Sequence, residues 1–131
     1  MKKTIDVLIG EEKIVRLILN ILCNNEMVDI IDVIGHPGKY GKKRTNKLVC
    51  VRQLFCYFAR KYTNMSLREI GNIVNYDHCT VIHSLKVVNN EIEIYPMMKL
   101  KIERYSKIIE MEINFAKTEA EEFFLYYDFC R

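Results

Sequence analysis

Residues 66–80 read SLREIGNIVNYDHCT, a stretch that contains the start signals of two helices. Ser66 and Glu69 form a capping box, in which the serine hydroxyl accepts from the Glu69 amide and the carboxylate reaches back to the serine amide. The pair Asn75-Tyr76 makes a turn, and Asp77 can cap a second helix. Two helices joined by so short a turn are typical of a helix-turn-helix. The stretch therefore predicts helices over residues 66–74 and 77–92.

Apolar residues recur at helical spacing on both sides of this pair, and no strand pattern is longer than a few residues. Clustered Gly and Pro in Gly35–Gly41 predict a loop. The other segments predicted as helices are Glu12–Cys23, Val28–Ile34, Leu48–Tyr62 and a stripe from Met98 to Phe124. We therefore predict an all-α fold of about six helices, a helix-turn-helix bundle with a C-terminal helical extension.

The composition is typical of a folded chain of moderate size. Half of the 131 residues are hydrophobic and 28% are charged, which argues against a disordered chain. No apolar run is long enough for a membrane helix, and the N-terminus makes a poor signal peptide, so we expect a cytoplasmic protein. The five cysteines are odd in number and lack Cys-x-x-Cys spacing, which favours free thiols over disulfides or zinc. Cys50 and Cys56 lie among apolar residues and are expected to be buried.

Basic residues are concentrated in one segment of a chain whose net charge is only +3. Between Lys39 and Arg68 there are nine Lys or Arg and no Asp or Glu. One-signed charge of this kind is expected on a surface that binds a polyanion, although a solvated basic face without a partner is an equally good interpretation of charge alone. The segment includes Lys61, which the charge pattern places among the candidate phosphate contacts.

Three segments, in order, resemble the C-terminal helix-turn-helix domain of the bacterial replication initiator DnaA. Residues 52–64, RQLFCYFARKYTN, resemble its Arg-Gln…Tyr-Leu-Ala-Arg-x-Leu-Thr-Asn helix. Residues 66–71, SLREIG, resemble its Ser-Leu-Pro-Glu-Ile-Gly, and residues 76–83, YDHCTVIH, are similar to its Arg-Asp-His-Thr-Thr-Val-x-His signature. The resemblance covers residues 11–110 and implies a Trp-repressor-like fold that binds DNA. We accordingly divide the chain into a helix-turn-helix domain, residues 1–110, and an extension, residues 111–131.

The resemblance also implies roles for particular residues. Arg44 matches an arginine that enters the minor groove, and Asp77, His78 and Cys79 match residues that reach bases in the major groove. Arg68 stands where the family has proline and adds a charge beside the groove, so we group it with the base contacts. Positions matching phosphate contacts are Arg52, Gln53, Arg60, Thr63 and Thr80.

The sequence offers no candidate for catalysis or for a cofactor. Gly35–Lys43 is rich in Gly and Lys but lacks the Gly-x-x-x-x-Gly-Lys-Ser/Thr pattern of a P-loop. His78 and His83 lie five residues apart, so they do not form an i, i+4 metal pair on one helix face. We therefore expect no enzyme activity, no metal and no cofactor.

Two classes of function remain open on these residues. The first is sequence-specific binding of double-stranded DNA, related to replication initiation or its regulation. The second is a transcriptional regulator or a protein-interaction module of a phage or mobile element that uses the same fold. The apolar stripe of the extension either packs onto the domain, which we favour, or makes a homodimer.

Overall fold

The computed structural model describes residues 10–35 and 45–129, with side chains described up to residue 122. Within these ranges the backbone forms six helices and no strand, which confirms the all-α prediction. The helices are α1 (Glu11–Glu26), α2 (Ile30–Ile34), α3 (Asn46–Tyr62), α4 (Leu67–Val74), α5 (His78–Ile94) and α6 (Pro96–Phe129). Most of the predicted loop and Arg44 lie outside the described residues.

The first two helices differ from their predicted limits. α1 continues past Cys23 to Glu26 and ends where Met27 adopts the left-handed conformation, with φ of 58°. The amide of Met27 then donates to the carbonyl of Cys23, so a left-handed cap closes the helix after Glu26. α2 is a single short turn that begins at Ile30, after Asp29 at its N-cap.

The core is built around α3, which packs against α1, α4 and α5. Phe55 and Phe58 are fully buried, and each such side chain contributes about 1.5–3 kcal/mol of hydrophobic stabilisation. Cys56 is buried as expected, but the expectation for Cys50 is wrong, because its thiol is exposed. Val51 takes the inward position on that turn and is buried, which leaves Cys50 on the solvent side of the helix.

α6 lies across α1 and α5 and runs without interruption past Glu110, where we placed the start of the extension. Ile109, Ile113 and Ala116 are buried on its inner face, so the helix packs against the rest of the chain as far as Ala116. Because the helix is continuous, it shows no boundary at residue 110, and the division of the chain into two parts stays a prediction.

A carboxylate at the end of α1 holds α6 in place. Glu26 accepts a hydrogen bond of 2.8 Å from the Tyr105 hydroxyl and forms an ion pair of 2.8 Å with Lys101. Burial alone would raise the pKa of Glu26, but the hydrogen bonds from Lys101 and Tyr105 outweigh it and lower that pKa below its usual value. The same contact and burial raise the pKa of Tyr105. A second link joins α3 to α6, since the Tyr62 hydroxyl donates to Glu110 over 3.0 Å.

Candidate functional site

The helix-turn-helix predicted from the sequence is formed by α4 and α5. Ser66 Oγ accepts from the Glu69 amide over 3.1 Å while Glu69 Oε1 accepts from the Ser66 amide over 3.3 Å, so both halves of the capping box are present. At the start of α5, Asp77 Oδ1 accepts from the Thr80 amide over 2.7 Å. Asn75 takes the left-handed conformation between the helices, with φ of 58°. These local bonds fix where each helix begins.

Gly71 allows the turn to close tightly against α4. The Tyr76 amide donates to the Gly71 carbonyl over 2.8 Å, which brings the turn backbone back onto the helix. A Cβ atom added at Gly71 would overlap the Tyr76 carbonyl oxygen and would lie 3.1 Å from a methyl carbon of Val81 on α5. The absence of a side chain at this position therefore sets how closely α5 follows α4.

The first turn of α5 presents its predicted base-contacting residues to solvent. Asp77, His78 and Cys79 are all exposed, with Cys79 Sγ 3.6 Å from His78 Nε2. The opposite face of the same helix is buried through Val81 and Val88. The burial of that face leaves the side chains at the N-terminal end of α5 directed away from the core. This is the arrangement that a recognition helix requires.

Other predicted contacts fall on the helices next to this end of α5. Arg68 is exposed in the first turn of α4, and Arg60 is exposed in the last turn of α3. Gln53 and Thr80 are half-buried. α5 packs against both α3 and α4, so these side chains belong to neighbouring elements of one unit. Arg44 cannot be placed relative to them, since it lies outside the described residues.

Arg52 is placed differently from our prediction of a phosphate contact. Its side chain is fully buried, at 0% exposure, with Nε donating to the carbonyl of Val33 and Nη2 to the carbonyl of Asp32, both over 2.7 Å. These carbonyls lie in the last turn of α2, where a cation is favourable. A guanidinium enclosed in this way cannot reach a phosphate in this conformation. Its place in the structure is to fasten α2 to α3.

Thr63 is buried within the chain, whereas Lys61 is exposed and also makes a contact with α6. The Thr63 side chain is buried, and its hydroxyl donates to the Ala59 carbonyl over 2.6 Å. The Lys61 ammonium donates to Ser106 Oγ on α6 over 3.1 Å, and it lies 5.3 Å from the centre of the Tyr62 ring. The predicted phosphate contact of Thr63 is therefore corrected, because the buried Thr63 caps α3, whereas the exposed Lys61 stays a predicted contact.

One of these roles has a signal in the sequence that our prediction missed. Arg52 lies on the apolar stripe of α3, four residues after Leu48 and three before Phe55, which indicates burial. Glu11 has a role that the sequence does not indicate, since its carboxylate accepts from the Asn64 amide over 2.8 Å and fixes the segment that precedes α4. Its position in the first turn of α1 predicts a helix-dipole contact, but nothing local indicates Asn64.

The described residues show neither a metal site nor a membrane span. No group of three or more His, Cys, Asp or Glu is arranged to hold a metal ion in residues 10–35 and 45–122. Over the same described part of the chain, no helix combines the length and apolar character needed to cross a membrane.

Comparison with known proteins agrees with this geometry. Residues 39–88 match the family model described as the bacterial dnaA protein helix-turn-helix. The chain is 38% identical over 69 residues to the chromosomal replication initiator protein DnaA of Thermoanaerobacter sp., a match that covers 53% of this chain and 16% of the relative. It is 28% identical over 109 residues to the DnaA of Bacteroides fragilis, covering 76% of this chain and 22% of the relative. No solved structure matches the chain.

The matched segment contains α4 and most of α5, together with all of α3. The capping box, the tight turn at Gly71 and the exposed start of α5 therefore lie in the part of the chain that is similar to the initiator. The chain corresponds to less than a quarter of the length of these relatives. On these grounds, the helix-turn-helix within residues 39–88 is of the bacterial DnaA C-terminal type.

Proposed function

We propose that this chain binds double-stranded DNA in a sequence-specific manner, with the first turn of α5 in the major groove. The observation that carries the proposal is the exposure of Asp77, His78 and Cys79 at the end of a helix whose other face is buried. An aspartate can accept from cytosine N4 and an imidazole can donate to a base acceptor, so both suit base edges. The match of residues 39–88 to the DnaA helix-turn-helix supports the same orientation.

Phosphate contacts would come from the cations that remain exposed around α5. Arg60 and Lys61 at the end of α3 and Arg68 at the start of α4 are the described candidates, with Gln53 and Thr80 as neutral donors. Phosphate contacts position a recognition helix without reading sequence. Arg44 stays a proposed minor-groove contact on the strength of the family resemblance alone.

The biological role we propose is replication initiation or its regulation, because the curated relatives are named chromosomal replication initiators. The transcriptional regulator remains the alternative for a chain that binds DNA at other loci. Selection of binding sites from random duplex DNA, followed by mapping of those sites in the source genome, tests both. Sites clustered at a replication origin support the proposal, whereas sites confined to promoters support the alternative.

Replacing His78 with Ala tests the reading of bases. We expect a loss of about 1–3 kcal/mol in binding to the selected site and little change on random duplex, because a lost base contact affects one sequence and not all. His83→Ala is the matched control, since His83 is an exposed histidine five residues further along the same helix. Equal losses of H78A on both DNAs, measured by fluorescence anisotropy, would contradict a reading role.

Replacing Arg60 with Ala tests the phosphate contact. Affinity for every duplex should fall, and the slope of log K against log salt should flatten by about 0.9, the contribution of one phosphate-bound cation. Arg16→Ala provides the control, because it removes the same charge from an exposed position on α1, outside the helix-turn-helix. An unchanged slope in R60A, or the same change in R16A, would place the DNA surface elsewhere.

A further inference from the structure

α6 carries a second apolar face that is exposed to solvent. Met97, Leu100, Met111 and Phe115 are 75%, 54%, 70% and 63% exposed, and their spacing places them along one line of the helix. The exposed Arg104 and the half-buried Ile108, which also contacts the core, complete the line, which we call the outer stripe of α6. At 1.5 Å per residue it is about 27 Å long.

The outer stripe is distinct from the face that holds α6 to the domain. Ile102, Ile109 and Ile113 are buried on the opposite side of the helix, against the rest of the chain. A helix that is apolar on two faces normally has a second partner, because contiguous exposed apolar surface is rare on soluble monomers. The outer stripe is thus an interaction surface that intramolecular packing leaves open.

The charges along α6 select the kind of partner. Residues 96–107 contain four basic side chains and one acidic one, whereas residues 108–122 contain five acidic side chains and one basic one. The helix is therefore positive in its first half and negative in its second. A second copy of the same helix in antiparallel orientation places each positive half beside a negative half, whereas a parallel copy places like charges together.

We propose that this chain forms a homodimer through the outer stripes of two antiparallel α6 helices. A two-fold axis near residue 106 brings Met97 opposite Phe115 of the second copy and Leu100 opposite Met111 of the second copy. The same axis places Arg104 opposite Ile108 of the second copy, and each of these pairs occurs twice, as an isologous interface requires. The proposal concerns an interaction surface beyond DNA binding and does not depend on it.

The dimer also specifies the arrangement of DNA sites, and this consequence alone rests on the proposed function. Two copies of α5 related by a two-fold axis would read two half-sites in inverted orientation. If the chain dimerises but selects single DNA sites, the predicted pair of inverted half-sites is wrong, whereas the proposed dimer still holds.

Sedimentation equilibrium of the full chain without DNA tests the dimer. We expect a monomer–dimer equilibrium in the wild type and a dissociation constant raised by roughly tenfold or more in Phe115→Glu and Met111→Glu, because each puts a carboxylate into an apolar contact. Met27→Glu is the control, since Met27 is 86% exposed at the end of α1 and lies outside the outer stripe. Both exposed positions tolerate a charge in the monomer, so circular dichroism and the midpoint of thermal unfolding at monomer concentrations should be unchanged. A wild type that stays monomeric at all concentrations, or variants that dimerise normally, would overturn the proposal.

A photoreactive benzophenone side chain at position 115 tests the orientation and the occupant. Mass spectrometry should find the cross-link at Met97 or its neighbours in a second copy. A cross-link near residue 115 of the second copy would overturn the antiparallel arrangement. A cross-link within one copy to residues 1–9 would overturn the dimer by showing that the chain covers its own stripe.

Discussion

Arg52→Ala should unfold the domain at a much lower temperature, with a loss of about 3–5 kcal/mol in the free energy of unfolding. The substitution leaves a cavity where a fully buried side chain stood, which for large side chains costs about 2–5 kcal/mol. It also removes the donors to the buried carbonyl of Val33 and to the partly buried carbonyl of Asp32, and one unsatisfied buried acceptor costs about 1–3 kcal/mol. Thermal and urea denaturation without DNA measure the effect.

Arg52→Met separates the two contributions, because it keeps most of the volume and removes the hydrogen bonds. We expect the free energy of unfolding of R52M to lie between that of R52A and that of the wild type. The same experiments distinguish a core role from a phosphate contact. An R52A variant of wild-type stability that binds duplex DNA more weakly with a flatter salt slope would restore the phosphate role predicted from the resemblance.

Gly71→Ala should have the second large effect, on stability and on DNA recognition together. A Cβ at this position meets the Tyr76 carbonyl, a backbone atom that moves only if the turn moves. Forcing atoms into closely packed sites typically costs about 1–3 kcal/mol. Because the turn connects α4 to α5, its displacement should also weaken binding to the selected DNA site more than binding to random duplex.

Asn72→Ala is the control for this substitution, since Asn72 is the next residue of α4 and is exposed. Alanine there should be neutral or slightly stabilising, because it has a higher helix propensity than asparagine. Urea denaturation and anisotropy with the two DNAs compare the variants. If G71A and N72A have the same stability and the same DNA affinities, the close approach of the Tyr76 carbonyl to Gly71 contributes to neither.

The helices themselves could be predicted because their signals are local. The capping box at Ser66 and the cap at Asp77 each involve residues three apart, so both were predictable and both are formed. The end of α1 was misplaced because it depends on the left-handed Met27, and a non-glycine residue in that conformation leaves little trace in sequence.

The candidate site was only partly predictable for a similar reason. The exposure of Asp77, His78 and Cys79 follows from their position before the buried Val81, within one turn of helix. Whether a basic side chain is exposed or buried is harder to predict, since Lys and Arg have long side chains that can turn to solvent or into the structure. A basic segment therefore predicts a positively charged surface, but it does not predict which of its Lys and Arg side chains lie on that surface.

The sequence by itself determined the helical class, the two capped helices of the helix-turn-helix and the residues at the start of α5. Those features arise from periodicity and from hydrogen bonds that span three or four residues. Only the tertiary structure decided that Arg52 is enclosed by α2, that Lys61 faces α6 and that Met97 and Phe115 remain exposed. The partners of Arg52 and Lys61 are 19, 20 and 45 residues away in the chain, and that proximity is created by the packing of helices rather than by any local pattern.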